Sequence, residues 1–323
     1  MVIARRRGRR GNLVAVVAML TACAPEEAAI EAPADPVVVF ASFEDKTYLP
    51  ALVDAYTKET GTIVIVRHGE PGAIVDDVIE NKIFPPADML LTPSVRGVYR
   101  AAEEGALRPI PAAILEKRVP PTLRDPDGLW AALTYRNALI VYDTEIVPAE
   151  NIAGVESLAE PEFQGQLCLS SSSLVSNLNV ISWLIDVLGI RGAELTVRGW
   201  VANLARLPFE TDAKLLGAIE AGDCGIGIIS SQFAGKVAGN LAMYDPAPAW
   251  VDIEGIGIAR HARNPDGALR LVEWLLSDRI QERHAASVSS HPVIGNHQGD
   301  KNVGLVAWLS EDAIKLSERA RYR

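Results

Sequence analysis

Apolar residues along this chain fall into short unbroken runs, separated by stretches where they recur every three or four positions. Val37-Val38-Val39-Phe40-Ala41 is the first run, the pattern of a strand buried on both faces. Leu49, Leu52, Val53 and Tyr56 then keep helical spacing as far as Gly61. That predicts a helix over 49–60 with glycine as its stop. The alternation continues with a strand over 62–66, a helix over 74–83, a strand over 87–91 and a helix over 95–104 closed by Gly105. Beyond the turn-rich Arg124-Asp125-Pro126-Asp127-Gly128, the pattern predicts strands over 139–142 and 166–169 and a helix over 174–188. A helix over 213–221 stopped by Gly222, a strand over 225–229 and a helical start at 233–238 follow. The last elements are a strand over 254–259 and helices over 265–276 and 306–321.

Strands alternating with helices imply a parallel sheet with helical cover. The units form two blocks, and the last elements are expected to return to the first. The predicted fold is α/β, with two doubly wound lobes joined by crossing strands. Residues 37–136 with 257–323 make lobe one, and residues 137–256 make lobe two. Ligands in open α/β sheets sit beyond the carboxyl ends of strands, which here means the cleft between the lobes.

The N-terminus adds an address. Arg5, Arg6, Arg7, Arg9 and Arg10 precede an apolar run from Leu13 to Leu20, and Leu20-Thr21-Ala22-Cys23 follows. This order reads as a lipoprotein signal over 1–22, with Cys23 acylated as the new N-terminus. The run is too short to span a bilayer. Apart from Cys23 and a single Ile30, residues 23–36 are Ala, Pro, Glu and Asp with little to bury, and read as a flexible tether. The expected location is the periplasmic or extracytoplasmic face of the envelope, with the lipid as the membrane contact.

Charge and cysteines narrow the partners. The formal charge is −10, and the signal would remove five arginines and no acids, leaving about −15. So negative a net charge argues against nucleic acid or an anionic membrane surface as a partner, since both need a basic patch. Cys168 and Cys224 remain after Cys23. In an oxidising compartment they form either a disulfide or two buried thiols. There is no CxxC and no His/Cys cluster at zinc spacing. No Gly-x-Ser-x-Gly or dinucleotide fingerprint is present, so no catalytic residue and no cofactor is assigned.

Several segments resemble one family. They are Ala87-Asp88-Met89-Leu90-Leu91-Thr92, Leu123-Arg124-Asp125-Pro126-Asp127-Gly128-Leu129-Trp130 with Tyr135-Arg136 and Ile140-Val141-Tyr142, Phe163-Gln164-Gly165-Gln166-Leu167-Cys168, Val201-Ala202-Asn203-Leu204-Ala205-Arg206, and Ala221-Gly222-Asp223-Cys224. Together they resemble the periplasmic solute-binding proteins of iron(III) ABC transporters. The resemblance implies a periplasmic binding protein-like fold, capture by lobe closure, and delivery to permease and ATPase subunits. Both cysteines lie in the matching segments, which favours the disulfide. The family's iron is held by adjacent tyrosines, because ferric iron prefers anionic oxygen. Here that stretch reads Ile229-Ser230-Ser231-Gln232-Phe233, with Gln232 and Phe233 in place of the tyrosines. Val175 and Phe43-Glu44-Asp45 stand where other members place a tyrosine and a histidine. No metal ligand is therefore assigned.

Four segments are candidates for the cleft. Ser170, Ser171, Ser172 and Ser173 lie between a strand and a helix, where hydroxyls and free N–H groups hold anions or simply cap the helix. Arg136 stands where the chain first crosses between lobes, either as a fork for an anion or as a hinge ion pair. Phe43, Glu44 and Asp45 follow the first strand, as ligand contacts or as a helix cap. Ser230, Ser231, Gln232 and Phe233 offer an amide and a flat apolar face, or bury the phenylalanine in the core. The expected function is a lipid-anchored, monomeric solute-binding protein of an ABC importer, taking a small organic molecule or anion. Two alternatives stand beside it: ferric iron or an iron chelate held by non-tyrosine ligands, and an envelope sensor not coupled to transport.

Overall fold

The structure is a computed structural model, describing residues 35–42, 48–246, 251–294 and 310–323. Cys23, Phe43, Glu44 and Asp45 lie outside the described residues, as does the side chain of Val175. The first lobe starts from three parallel strands, β1 (Val37–Ala41), β2 (Val64–His68) and β3 (Met89–Thr92), with β1 between the other two. Helices α1 (Tyr48–Thr60), α2 (Pro71–Glu80) and α3 (Val95–Glu103) alternate with them. A short strand, β4 (Leu107–Arg108), and helix α4 (Ala112–Arg118) complete this block.

The chain then crosses on β5 (Ala131–Asp143), a strand buried along nearly its whole length. Ala131 to Asn137 pair antiparallel with β9 (Val251–Ala259), whereas Ala138 to Tyr142 pair antiparallel with β7 (Ile226–Ser230). The changeover falls at Asn137-Ala138, one residue beyond Arg136. β6 (Leu167–Cys168) lies parallel to β7, and β8 (Leu241–Tyr244) pairs with the second half of β5. The resulting order is β2-β1-β3-β9-β5-β7-β6. β9 carries the chain back, so β5 and β9 are the crossing strands of two α/β lobes.

Helix α5 (Val175–Asn203) contains a break at Gly189, whose φ of 68° and ψ of 165° are not helical. Glycine adopts that backbone without a Cβ clash. The hydrophobic pattern predicts only the first half of this element, because the break interrupts the periodicity. α6 (Asp212–Glu220) precedes β7, and Thr211 caps it by accepting from the Lys214 N–H. The helical start expected at 233–238 is instead a 3-10 turn, Ser231–Lys236.

Burial divides the interior. One cluster joins β1, β3, the first half of β5 and β9 to α7 (Pro265–Leu275) and α8 (Asp278–Ser287). Two others lie around the second half of β5, β7 and the helices of lobe two. The last helix, α9 (Ser310–Ala320), packs against α5. Ala313, Leu316, Ala320 and Tyr322 are buried in the second cluster with Ile181, Leu184 and Trp200 of α5. The expected disulfide is present between Cys168 and Cys224.

Several matching segments prove to be structural. Asp88, 1% exposed, accepts from the N–H groups of Val38, Arg263 and Asn264 at 2.8, 2.7 and 2.8 Å. Asp125 accepts from the N–H groups of Asp127 and Leu129, both at 3.0 Å, and so folds the Asp125–Gly128 turn.

Candidate functional site

Two of the four candidate segments come together. β6 and β7 are parallel neighbours, so their carboxyl ends deliver Ser170 and Ser230 side by side. Asp212, the first residue of α6, bridges them. Its Oδ1 accepts from the Ser170 hydroxyl at 2.6 Å, and its Oδ2 accepts from the Ser230 N–H at 2.9 Å. Burial pushes the Asp212 carboxyl up, and the hydrogen bonds from Ser170 and Ser230 oppose that shift.

The serine turn is held on several sides. Ser170 is fully buried, and its carbonyl accepts from the Tyr322 hydroxyl at 2.5 Å and from Asn177 Nδ2 at 3.0 Å. Burial first, and the Asp212 charge second, raise the Tyr322 hydroxyl well above its ordinary value. It therefore stays a neutral donor. Ser171 donates its N–H to the Phe209 carbonyl at 2.6 Å, and its hydroxyl lies 2.8 Å from that of Ser173. Ser172 donates to the Tyr322 carbonyl at 3.1 Å. Leu174, not a serine, occupies the cap position of α5. The hydroxyl and carbonyl of Ser170 are thus both engaged inside the protein. Ser173 is exposed, and Ser171 and Ser172 are half-buried.

The second turn follows β7. Ser231 Oγ accepts the Asn137 N–H at 3.2 Å, and Asn137 Nδ2 donates to Asp245 at 2.9 Å. Gln232 is half-buried. Phe233 packs against the third cluster, with the Lys236 ammonium 5.0 Å above its ring. The phenylalanine thus serves partly as core, the alternative left open by its sequence.

Arg136 lies opposite Asp252 in the register of the crossing strands. One of its terminal nitrogens is 3.2 Å from Asp252 Oδ2 and 2.9 Å from the Pro93 carbonyl. This ion pair ties the two crossing strands together. Burial pushes the Asp252 carboxyl up, against the Arg136 charge, Asn179, and the N–H groups of Ile253 and Val95. Further along the same strands, Glu254 accepts from the Thr134 hydroxyl at 2.8 Å and lies 2.6 Å from His284 Nε2.

Sequence reasoning missed Asp212, Asp252, Asn137 and Tyr322. Thr211-Asp212 carries only a helix-start signal, and the other three sit in segments whose pattern is that of strand or terminus. Among the described residues, no three His, Cys, Asp or Glu side chains converge as a metal site. The arrangement offers hydroxyls, an amide and a cationic side chain beside an apolar ring, a donor set for an oxygen-rich anion.

Residues 37–286 match the family described as bacterial extracellular solute-binding protein. Iron uptake protein A1 of Synechocystis is 27% identical over 278 residues, which cover 81% of this chain and 77% of that protein. The Fe(3+)-binding periplasmic protein of Serratia marcescens is 23% identical over 264 residues, covering 78% of this chain and 77% of that protein. Among solved structures, the Trichodesmium protein IdiA (FutA), in complex with iron and citrate, superposes with a TM-score of 0.79 at 27% identity. That superposition covers 89% of this chain and all of the other. The match over most of the described fold settles the family: the chain belongs to the bacterial extracellular solute-binding proteins.

Proposed function

We propose that this protein is the lipid-anchored solute-binding subunit of an iron(III) ABC importer, and that its cargo is ferric iron already chelated by an oxygen-rich anion. The carrying observation is the likeness to iron-uptake proteins, one of which, at 27% identity and TM-score 0.79, holds iron with citrate. These relatives support the iron reading over the small organic molecule or anion that the sequence put first.

The residues explain why the cargo carries its own ligands. Ferric iron demands anionic oxygens. The turn after β7 presents Gln232 and Phe233, an amide and a hydrocarbon. A chelating anion supplies the missing oxygens, and its remaining carboxylates and hydroxyls meet the Ser171–Ser173 hydroxyl pair and the Gln232 amide. Closure follows from contacts that the cargo makes with both lobes at once, because a ligand shifts an equilibrium only by its differential affinity. Delivery to a permease follows from the family role, and the Cys23 lipid keeps the domain at the membrane.

The test is a titration of the purified full-length protein, stripped of metal, with ferric citrate and with citrate alone. Tryptophan fluorescence reads affinity, and native mass spectrometry reads stoichiometry. Ferric citrate should bind roughly a hundredfold tighter than citrate, with iron and citrate both retained in the complex. Equal binding of citrate without iron overturns the proposal. So does iron retained without an anion and with an intense phenolate charge-transfer band.

A further inference from the structure

Asp212 is a buried carboxylate, 5% exposed, in a protein with ample room for acids on its surface. Burying a charge is costly unless hydrogen bonds compensate it. Its two bonds run to two different turns, to the Ser170 hydroxyl at 2.6 Å and to the Ser230 N–H at 2.9 Å. Ser170 opens the serine turn at the end of β6, and Ser230 leads into the Ser231–Lys236 turn at the end of β7. The anchor is itself anchored, because Asp212 begins α6, whose Leu215, Leu216, Ala218 and Ile219 are buried in the third cluster with Phe233 packed on it.

The geometry specifies a carboxylate. Both partners donate, and an ionised carboxylate is the small side chain that accepts on two oxygens. An amide accepts on one oxygen only. Its NH2 would face either the Ser230 N–H, donor against donor, or a Ser170 hydroxyl forced to turn around.

We propose that Asp212 is a positioning residue that couples the two ligand-facing turns, so that a contact made by one turn fixes the geometry of the other. It touches no ligand itself. The inference rests on the iron-chelate reading of the same site.

A double-mutant cycle tests it. Ser173→Ala and Gln232→Ala each remove one contact, one from each turn, and the affinity for ferric citrate is measured for the singles and the double. Independent sites add, and coupled sites do not. With Asp212 present, the double should depart from the product of the singles by about threefold or more. In an Asp212→Asn background the cycle should close, and affinity should fall about tenfold. Ser170→Ala cuts only the Oδ1 arm. It should weaken the coupling, lower the melting temperature by about 2–4 °C and leave the protein folded, and it carries the test if Asp212→Asn does not fold. A purely structural Asp212 would lower stability and leave the coupling intact. Unchanged coupling in folded Asp212→Asn, or in Ser170→Ala, overturns the inference. Failure of the wild type to bind ferric citrate overturns the cargo assignment instead, and the inference falls with it.

Discussion

Replacing Arg136 with alanine separates a cation that serves the fold from one that serves the ligand. Arg136 and Asp252 face each other on β5 and β9, the strands that join the lobes. Their contact is 3.2 Å, with side-chain exposures of 21% and 9%. Removing one partner of a buried pair costs about 3–5 kcal/mol, because the other charge is stranded. This pair has one contact and a partly exposed arginine, and the aspartate can escape by taking up a proton. We therefore expect a loss of about 2–3 kcal/mol at pH 7. At about 2 °C per kcal/mol for a chain of this length, the melting temperature falls about 4–6 °C.

The pH dependence follows from sign. The native Asp252 carboxyl is already raised by burial, and Arg136 opposes that rise. Without the arginine it rises further, and the folded state gains stability as pH falls through that native value. The deficit of Arg136→Ala should therefore shrink between pH 7 and pH 5, and Asp252→Asn should restore much of it. Thermal or urea unfolding at both pH values measures this. A deficit that ignores pH and is not rescued by Asp252→Asn refutes the ion-pair reasoning. Wild-type stability with lost ferric citrate binding makes Arg136 a ligand contact instead.

Gln281 on α8 donates to the carbonyls of Leu133 and Leu275 at 2.9 and 3.0 Å and accepts from the Val293 N–H at 2.9 Å. Gln281→Ala strands three buried backbone groups and should cost about 3 kcal/mol in urea unfolding. Burial pushes the Glu254 carboxyl up, but the His284 hydrogen bond and charge, Thr134 and Arg136 outweigh it, leaving it below its ordinary 4.5. Its stabilisation is present above that ordinary value and lost as pH falls through the lower native one. Glu254→Gln should thus lower stability at neutral pH and flatten the acid limb of unfolding below pH 4.5, read by circular dichroism.

What could be read in advance depended on whether buried positions were apolar. β1, α3 and α7 bury hydrocarbon at the expected period, and their sequences announce them. α8 buries Ile280, Gln281, His284 and Ala285, and two of those four are polar side chains, Gln281 donating to the Leu133 carbonyl and His284 meeting Glu254, both distant in sequence. No apolar period marks such a helix. β5 was legible only as Leu139 to Tyr142. Its first half carries Thr134, Arg136 and Asn137, polar residues whose partners Glu254, Asp252 and Asp245 all come from more than a hundred residues later. The site was split in the same way. Strand ends gave the locations of Ser170 and Ser230, but nothing local shows that one carboxylate ties them, or that the C-terminal Tyr322 closes over the first.

Those ties bear on the cargo. A turn whose side chains wait for a metal is ordered by the metal, and its affinity tracks the ion. Here hydrogen bonds and packing from Asp212, Tyr322, Asn177 and Phe233 hold the two turns. Their backbone and hydroxyl groups are therefore pre-organised, and the ordering cost of binding falls mainly on the ligand. Such a surface discriminates by the placement of hydrogen-bond partners. In the proposed cargo that placement is set by the iron, which holds the anion's carboxylates and hydroxyls in one arrangement that the free anion lacks. Under the proposed iron-chelate reading, Gln232 and Phe233 in place of a tyrosine pair are compatible with iron uptake: the turns would meet the anion, and the anion would hold the iron.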